Sequence, residues 1–213
     1  MGRNRILTVV RAASIVVVLA AMVFAVYETA RVGTFNPTRY FAYFTIQSNL
    51  LGVASFAWVL VRRDQPRSRA LESFRGAVTG YLTVVFFVVI LLLENVDVGL
   101  RLAWVDFVLH KLFPVIVVVD WLVDPPMTRL TARDAVVWLL YPLAWTGLTV
   151  ARGALDGWYP YPFLDPANGG YGTVAVMVVA ITGAFLAIAA FWIWIGNARG
   201  RSRGTVAADA EAA

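Results

Sequence analysis

The sequence predicts an all-α polytopic membrane protein, a bundle of six transmembrane helices with the N-terminus and the C-terminus both cytoplasmic. Three observations predict it. Hydrophobic residues make up 60% of the chain and charged residues 15%, with a mean hydropathy of +0.72, whereas a soluble domain is about 25% charged. The apolar residues fall into runs near the about 20 residues that a helix needs to cross a hydrocarbon core about 30 Å thick, where no lipid group can satisfy an open backbone. The basic residues alternate between the two sides of those runs, as retention of arginine in cytoplasmic loops requires.

The first run, Ile6 to Tyr27, follows Arg3 and Arg5. Val23-Phe24-Ala25 loosely fits a signal-peptide cleavage site, but the run is long for the apolar region of a signal, and a spanning helix is the better reading. The second run is Tyr40 to Val61, the third Ala77 to Leu93, the fourth Leu102 to Val123, the fifth Thr131 to Ala151 and the sixth Gly172 to Ile195. Residues 1–195 thus form one transmembrane domain, and 196–213, small and polar, read as a disordered cytoplasmic tail. An internal N-terminus leaves Arg3, Arg5, Arg62, Arg63, Arg67, Arg69, Arg75, Arg129, Arg133, Arg199, Arg201 and Arg203 in the cytoplasm. Only Arg31, Arg39, Arg101 and Arg152 then lie outside. The outer connection from Arg152 to Tyr171 is rich in aromatics and prolines, which predicts a stiff flap against the headgroups.

Composition also excludes chemistry. The chain has no cysteine and one histidine, so thiolate metal sites, iron–sulfur clusters, a cysteine nucleophile and a two-histidine metal or haem clamp are ruled out within one chain. No cofactor and no metal is expected. The net charge of +5 sits in short arginine clusters between apolar runs, a topological pattern and not a nucleic-acid face. Lys111 is the only lysine, and the arginine, alanine and valine bias suggests a GC-rich bacterial genome, hence an inner (plasma) membrane. The expected partners are membrane lipids and a lipid substrate; the oligomeric state is open.

Ionisable groups inside spans are costly, so each needs a reason. Arg11 lies near the cytoplasmic end of the first run and reads as a snorkelling residue. Asp120, beside Trp121 and Asp124, reads as an interfacial anchor or a partner for loop arginines. His110 sits near the middle of the fourth run, ~12 Å below its outer end. Asp106 is one turn earlier on the same face, where a carboxylate can fix the imidazole tautomer. Pro114, four residues later, supplies no N–H, so the helix is expected to bend there. In the second run Thr45, Ser48 and Asn49 share one face, and Gly52 continues it with room for close helix contact. Thr45 lies ~7.5 Å below the outer end of its run, a depth comparable with His110. Both residues have a plain structural reading as well: a threonine that bonds its own helix, and a histidine satisfied by neighbours.

The run Tyr43-Phe44-Thr45-Ile46-Gln47-Ser48-Asn49-Leu50, His110-Lys111 with Pro114, Asp120-Trp121, Tyr141-Pro142, Arg152-Gly153 and Tyr159-Pro160-Tyr161-Pro162-Phe163 together resemble the androgen-induced membrane protein family, in its bacterial branch. Animal members are multi-pass threonine hydrolases that cleave fatty acid esters of hydroxy fatty acids. The resemblance implies Thr45 as nucleophile and His110 as its base. Gln47-Ser48-Asn49 departs from the animal pattern, so fold and site position carry over better than substrate.

Three functions are therefore open. The first is an intramembrane lipid-ester hydrolase with Thr45 and His110, oriented by Asp106, with Asn49 or Lys111 as oxyanion donor and Ser48 beside them. The second is a lipid-binding or small-molecule transport protein with a polar pocket around His110, and the third is a scaffold. For the first, the cavity is expected between Thr45 and His110, lined by Phe41, Ser48, Asn49, Asp106 and Phe113 and roofed by the Trp158 to Phe163 loop.

Overall fold

A computed structural model describes residues 3–93 and 102–211, with side chains over 4–93 and 102–200. Every regular element among them is helical. In chain order the α-helices are α1 (Arg3–Arg31), α2 (Pro37–Tyr40), α3 (Phe44–Val61), α4 (Arg69–Val88), α5 (Ala103–Phe107), α6 (Phe113–Val123), α7 (Ala132–Asp156) and α8 (Gly170–Glu211). Five stretches are long and apolar enough to cross a membrane: Asn4–Arg31, Phe44–Val61, Arg69–Leu93, Ala132–Asp156 and Gly170–Gly200. Their outward faces carry Val16, Val23, Leu140, Leu148, Val179 and Trp194, all largely exposed, an apolar surface that only lipid would solvate well.

The fourth apolar run is helical but not uniform. It passes from α5 through a π turn at Val108–Leu112 into α6. Pro114 explains the break. The Phe113 N–H reaches back five residues to the Val108 carbonyl, so Leu109 loses its α-helical donor. Its π-register donor would be residue 114, a proline without an N–H. The expected bend is thus a widened turn centred on His110.

The two ends of the bundle gather different residues. One end collects the C-terminal part of α1, the segment 34–46, α5 with the π turn, and the 158–161 loop. The other collects Arg11, Arg67, Glu72, Arg75, Asp120 and Asp124, and near it Asn197 of α8 binds both the N–H and the C=O of Leu130. The central helix is α4, in which every residue from Arg75 to Val85 is buried. On one side of α4 a cluster joins α3, α7 and α8 through Phe44, Tyr81, Trp138 and Phe185. On the other a second cluster joins α1, α3, α5, the π turn and α6 through Val18, Ile46, Val105, Leu109 and Phe113. Gly52 lets α3 approach the second cluster, since a Cβ there would lie 2.5 Å from the Phe113 ring.

Several expectations are corrected. Arg11 does not snorkel: it is buried, and donates to Asp120 at 2.7 and 3.1 Å and to Asp124 at 2.6 Å. Asp120 pairs with Arg11 and with Arg75, both on helices, while the loop residue Arg67 takes Asp124 and Glu72. Arg75 is no loop residue. α4 begins at Arg69 instead of Ala77, because three arginines and three acids neutralise one another and allow charged turns to be buried. α1 and α7 likewise outrun the apolar segments that announced them. At the C-terminus α8 extends to Glu211, where composition predicts an unstructured tail from residue 196; side chains after Gly200, and the segment with Arg101, lie outside the described residues. The contacts of Asn197 and the approach of Gly200 to the Pro126 carbonyl carry the helix past its apolar run.

Candidate functional site

Thr45 is the second residue of α3, and its neighbours explain its position. Phe44 packs among Tyr81, Tyr141 and Trp145 in the α7–α8 cluster, whereas Ile46 packs in the α1–α5 cluster. Thr45 therefore stands on the seam between the two. The chain entering α3 is tied down by side chains: Gln47 Nε2 donates to the Phe41 carbonyl at 2.7 Å, Trp145 Nε1 to Ala42 at 2.9 Å, and the Tyr141 hydroxyl to Gln47. As the start of a helix, this turn has backbone N–H groups without intrahelical acceptors. The Thr45 N–H donates to the Tyr161 hydroxyl at 3.4 Å, and the Thr45 and Tyr161 hydroxyls are also 3.4 Å apart.

His110 lies in the π turn, 3% exposed. Its Nδ1 is 2.8 Å from Asp106 Oδ1, a hydrogen-bond distance, yet Nδ1 has no aligned acceptor. The two groups are in contact without an aligned hydrogen bond, which a rotation of the ring would make. Thr45 and His110 are not hydrogen-bonded to each other, but both line one cavity of about 270 Å³. Its wall also includes Glu28 and Thr29 from α1, Asn36, Arg39 and Tyr40 from the following segment, Leu93 and Val105, and Trp158 and Tyr161 from the last loop. A second, smaller and largely apolar cavity of about 80 Å³ lies between α4, α7 and α8, against Val85, Val88, Leu143, Val178 and Ile181. Thr45, Tyr161 and Leu93 border both.

The other predicted residues are elsewhere. Asn49 is fully buried behind the cavity wall, and its Nδ2 donates to the carbonyls of Thr45 at 2.8 Å and Leu109 at 3.1 Å. Both N–H bonds are thus spent, and none is left for an oxyanion. The second supplies the donor that the π turn and Pro114 deny Leu109. Ser48 is also fully buried, its hydroxyl without a hydrogen-bond partner among the described residues. Asp106 is partly exposed and meets His110 from one turn above. Lys111 is exposed on the outside of its helix. Phe41 is exposed and Phe113 is buried against Phe56 and Gly52, and, like Ser48, Asn49 and Asp106, neither borders the cavity.

The loop expected to lie on the headgroups instead folds inward. Tyr161 and Leu164 are buried, Tyr161 stacks on Phe163 at 5.3 Å, and Trp158 lies beneath the guanidinium groups of both Arg39 and Arg152. Burial pushes the Tyr161 phenol up to about 12, so it remains a protonated donor. In the sequence Tyr161 is legible only as part of the aromatic flap. Its signal was local: a hydroxyl fixed between Pro160 and Pro162 is a restrained group, which a purely interfacial tyrosine does not need. The contribution of α1 had no signal, because Glu28 and Thr29 fall just past the apolar run that ends at Tyr27 and read as a connecting segment.

Comparison with protein-family models, with curated proteins and with solved structures returns no significant match.

Proposed function

We propose that the chain is an intramembrane hydrolase of lipid esters with Thr45 as nucleophile and His110 as general base. The observation that carries the reading is the opening of both side chains, from different helices, onto one cavity. A buried threonine needs an adjacent base to act, and the only imidazole of the chain is across the cavity from it. Substrate binding would have to close the gap between them, which an empty site can hold open. The apolar slot on the far side of Thr45 suits an acyl chain, and the polar-rimmed cavity suits the alcohol half. The resemblance to the androgen-induced membrane protein family agrees with this assignment of residues.

The same reading takes the run Ala103–Val123 as a sixth crossing, interrupted by its π turn, with both termini in the cytoplasm of a bacterial inner membrane. Its support is that each of the six segments joins the arginine-rich end of the bundle to the cavity end, and that short arginine-rich loops stay inside.

The test uses purified protein in lipid nanodiscs with a panel of acyl esters and a fluorophosphonate probe. Thr45→Ala and His110→Ala should each lose at least about 10²-fold in turnover, Thr45→Ala should lose labelling, and Thr45→Ser should retain both. Turnover and labelling at the parent's level in both alanine variants would remove the mechanism. Saturable binding of lipid without turnover in the parent protein would instead support the binding or transport function.

A further inference from the structure

Building on the hydrolase reading, we propose that Tyr161 is a catalytic residue, its hydroxyl donating together with the Thr45 backbone N–H to the carbonyl oxygen of the ester as that oxygen becomes an oxyanion.

Among the described residues no other donor at the cavity is placed to do so. Asn49 has spent both its donors on carbonyls, and Lys111 points away from the bundle. Arg39 borders the cavity but is exposed at its rim, packed over Trp158. Tyr161 alone among the cavity residues is buried and has its hydroxyl on Thr45. The Thr45 N–H donates to the Tyr161 oxygen at 3.4 Å, so once that long bond is given up the two groups are close enough for one carbonyl oxygen to sit about 2.9 Å from each, the distance required of an oxyanion donor. The pair is poorly used without substrate, since 3.4 Å is long for a hydrogen bond, so inserting a carbonyl oxygen would cost little. The ring cannot swing freely: it stacks on Phe163, meets Tyr43 edge-on at 5.7 Å and touches Trp145 at 5.9 Å.

The position also orients the ester. Tyr161 and Thr45 both border the vestibule and the apolar slot, so a carbonyl held between them points its acyl chain into one space and its alcohol into the other. The chemistry then balances. Thr45 Oγ1 forms a bond to the carbonyl carbon while its proton passes to His110. The C=O π pair moves to the oxygen, which accepts from Tyr161 and the Thr45 N–H. Collapse restores the carbonyl, breaks the bond to the alkoxy oxygen and returns the proton from His110 to the leaving alcohol. Water repeats the sequence on the acyl-threonine, with release of the carboxylic acid and restoration of the Thr45 hydroxyl. Tyr161 keeps its proton throughout, as its raised pKa of about 12 requires.

Tyr161→Phe tests this, because it keeps the ring and its stacking and removes only the hydroxyl. With the ester that the parent protein turns over best, kcat should fall by about 10²–10³ with KM changed less than about threefold. A trifluoromethyl ketone of the same acyl chain, which binds as a tetrahedral adduct, should weaken by the same factor as kcat/KM, while a non-cleavable ether analogue should bind as before. A merely structural role would weaken the ether equally, and that result, or an unchanged kcat, would overturn the proposal. Parent turnover that survives Thr45→Ala and His110→Ala would sink the underlying hydrolase reading, whereas an active, Thr45-dependent enzyme indifferent to Tyr161→Phe would sink this inference alone.

Discussion

Asn49→Ala should destabilise the protein, and Pro114→Ala should largely rescue it. Asn49 is fully buried and bridges α3 to the π turn by donating to the Leu109 carbonyl at 3.1 Å. That carbonyl has no other donor in prospect: the Phe113 N–H is committed to Val108, and residue 114 is a proline. Truncation therefore strands a buried acceptor, at about 1–3 kcal/mol, toward the lower end because interhelical bonds in membranes average about 0.6 kcal/mol. Pro114→Ala restores an N–H within reach of Leu109, in π register directly or in α register by freeing Phe113. In that background Asn49→Ala loses the orphan penalty, and only the small volume change remains. The expected coupling is about 1 kcal/mol, read from a double-mutant cycle of reversible unfolding in bicelles. Additivity within about 0.3–0.5 kcal/mol would refute the account of Asn49 as the brace of the π turn.

The other predictions are simpler. Asp120→Ala should cost about 3–5 kcal/mol by the same assay, since it leaves Arg11 and Arg75 buried with one fewer carboxylate each; a cost within 0.5 kcal/mol, roughly the surface value, would show the network to be hydrated. Gly52→Ala should cost about 1–3 kcal/mol through a 2.5 Å clash with the rigid Phe113 ring, and an unchanged midpoint would show that α3 can move away freely. Reporter fusions after Arg69 and after Arg201 should read cytoplasmic, and those within Glu28 to Asn36 or at Asp165 external; an external reading at Arg69 would reverse the orientation.

The legible part of the fold was what hydropathy carries. Apolar runs mark lipid-facing length, and they announced α1, α3, α7, α8 and the 103–123 segment within a few residues at most ends. The beginning of α4 was not legible, because Glu72 and Arg75 look like loop residues until Arg11, Arg67, Asp120 and Asp124 converge on them from other helices. Neutralisation of that kind is a property of the tertiary structure. At the candidate site, periodicity aligned Thr45 with Ser48 and Asn49 and put Asp106 above His110, and both alignments exist. Which of the aligned residues faces the cavity was decided by the depth of packing. The face of α3 that carries Ser48, Asn49 and Gly52 is pressed against α4 and α6, and only its first turn opens outward.

The last prediction uses the single histidine of the chain. A base at His110 must present an unprotonated ring nitrogen to the cavity. Nδ1 is buried against Asp106 Oδ1, which leaves the Nε2 edge for the cavity that the residue lines. A ring rotation that aligns Nδ1 with the carboxylate favours the proton on Nδ1. Solid-state nitrogen NMR of protein labelled at histidine gives one imidazole, without assignment, and at pH 8 it should show the Nδ1–H form as the main neutral tautomer. Asp106→Ala should transfer population to Nε2–H and lower kcat more than it raises KM, because the proton acceptor is lost in the reacting complex and not in binding. An Nε2–H tautomer in the parent protein would leave Thr45 without an acceptor across the cavity, and the nucleophile would then have to be activated by some other group.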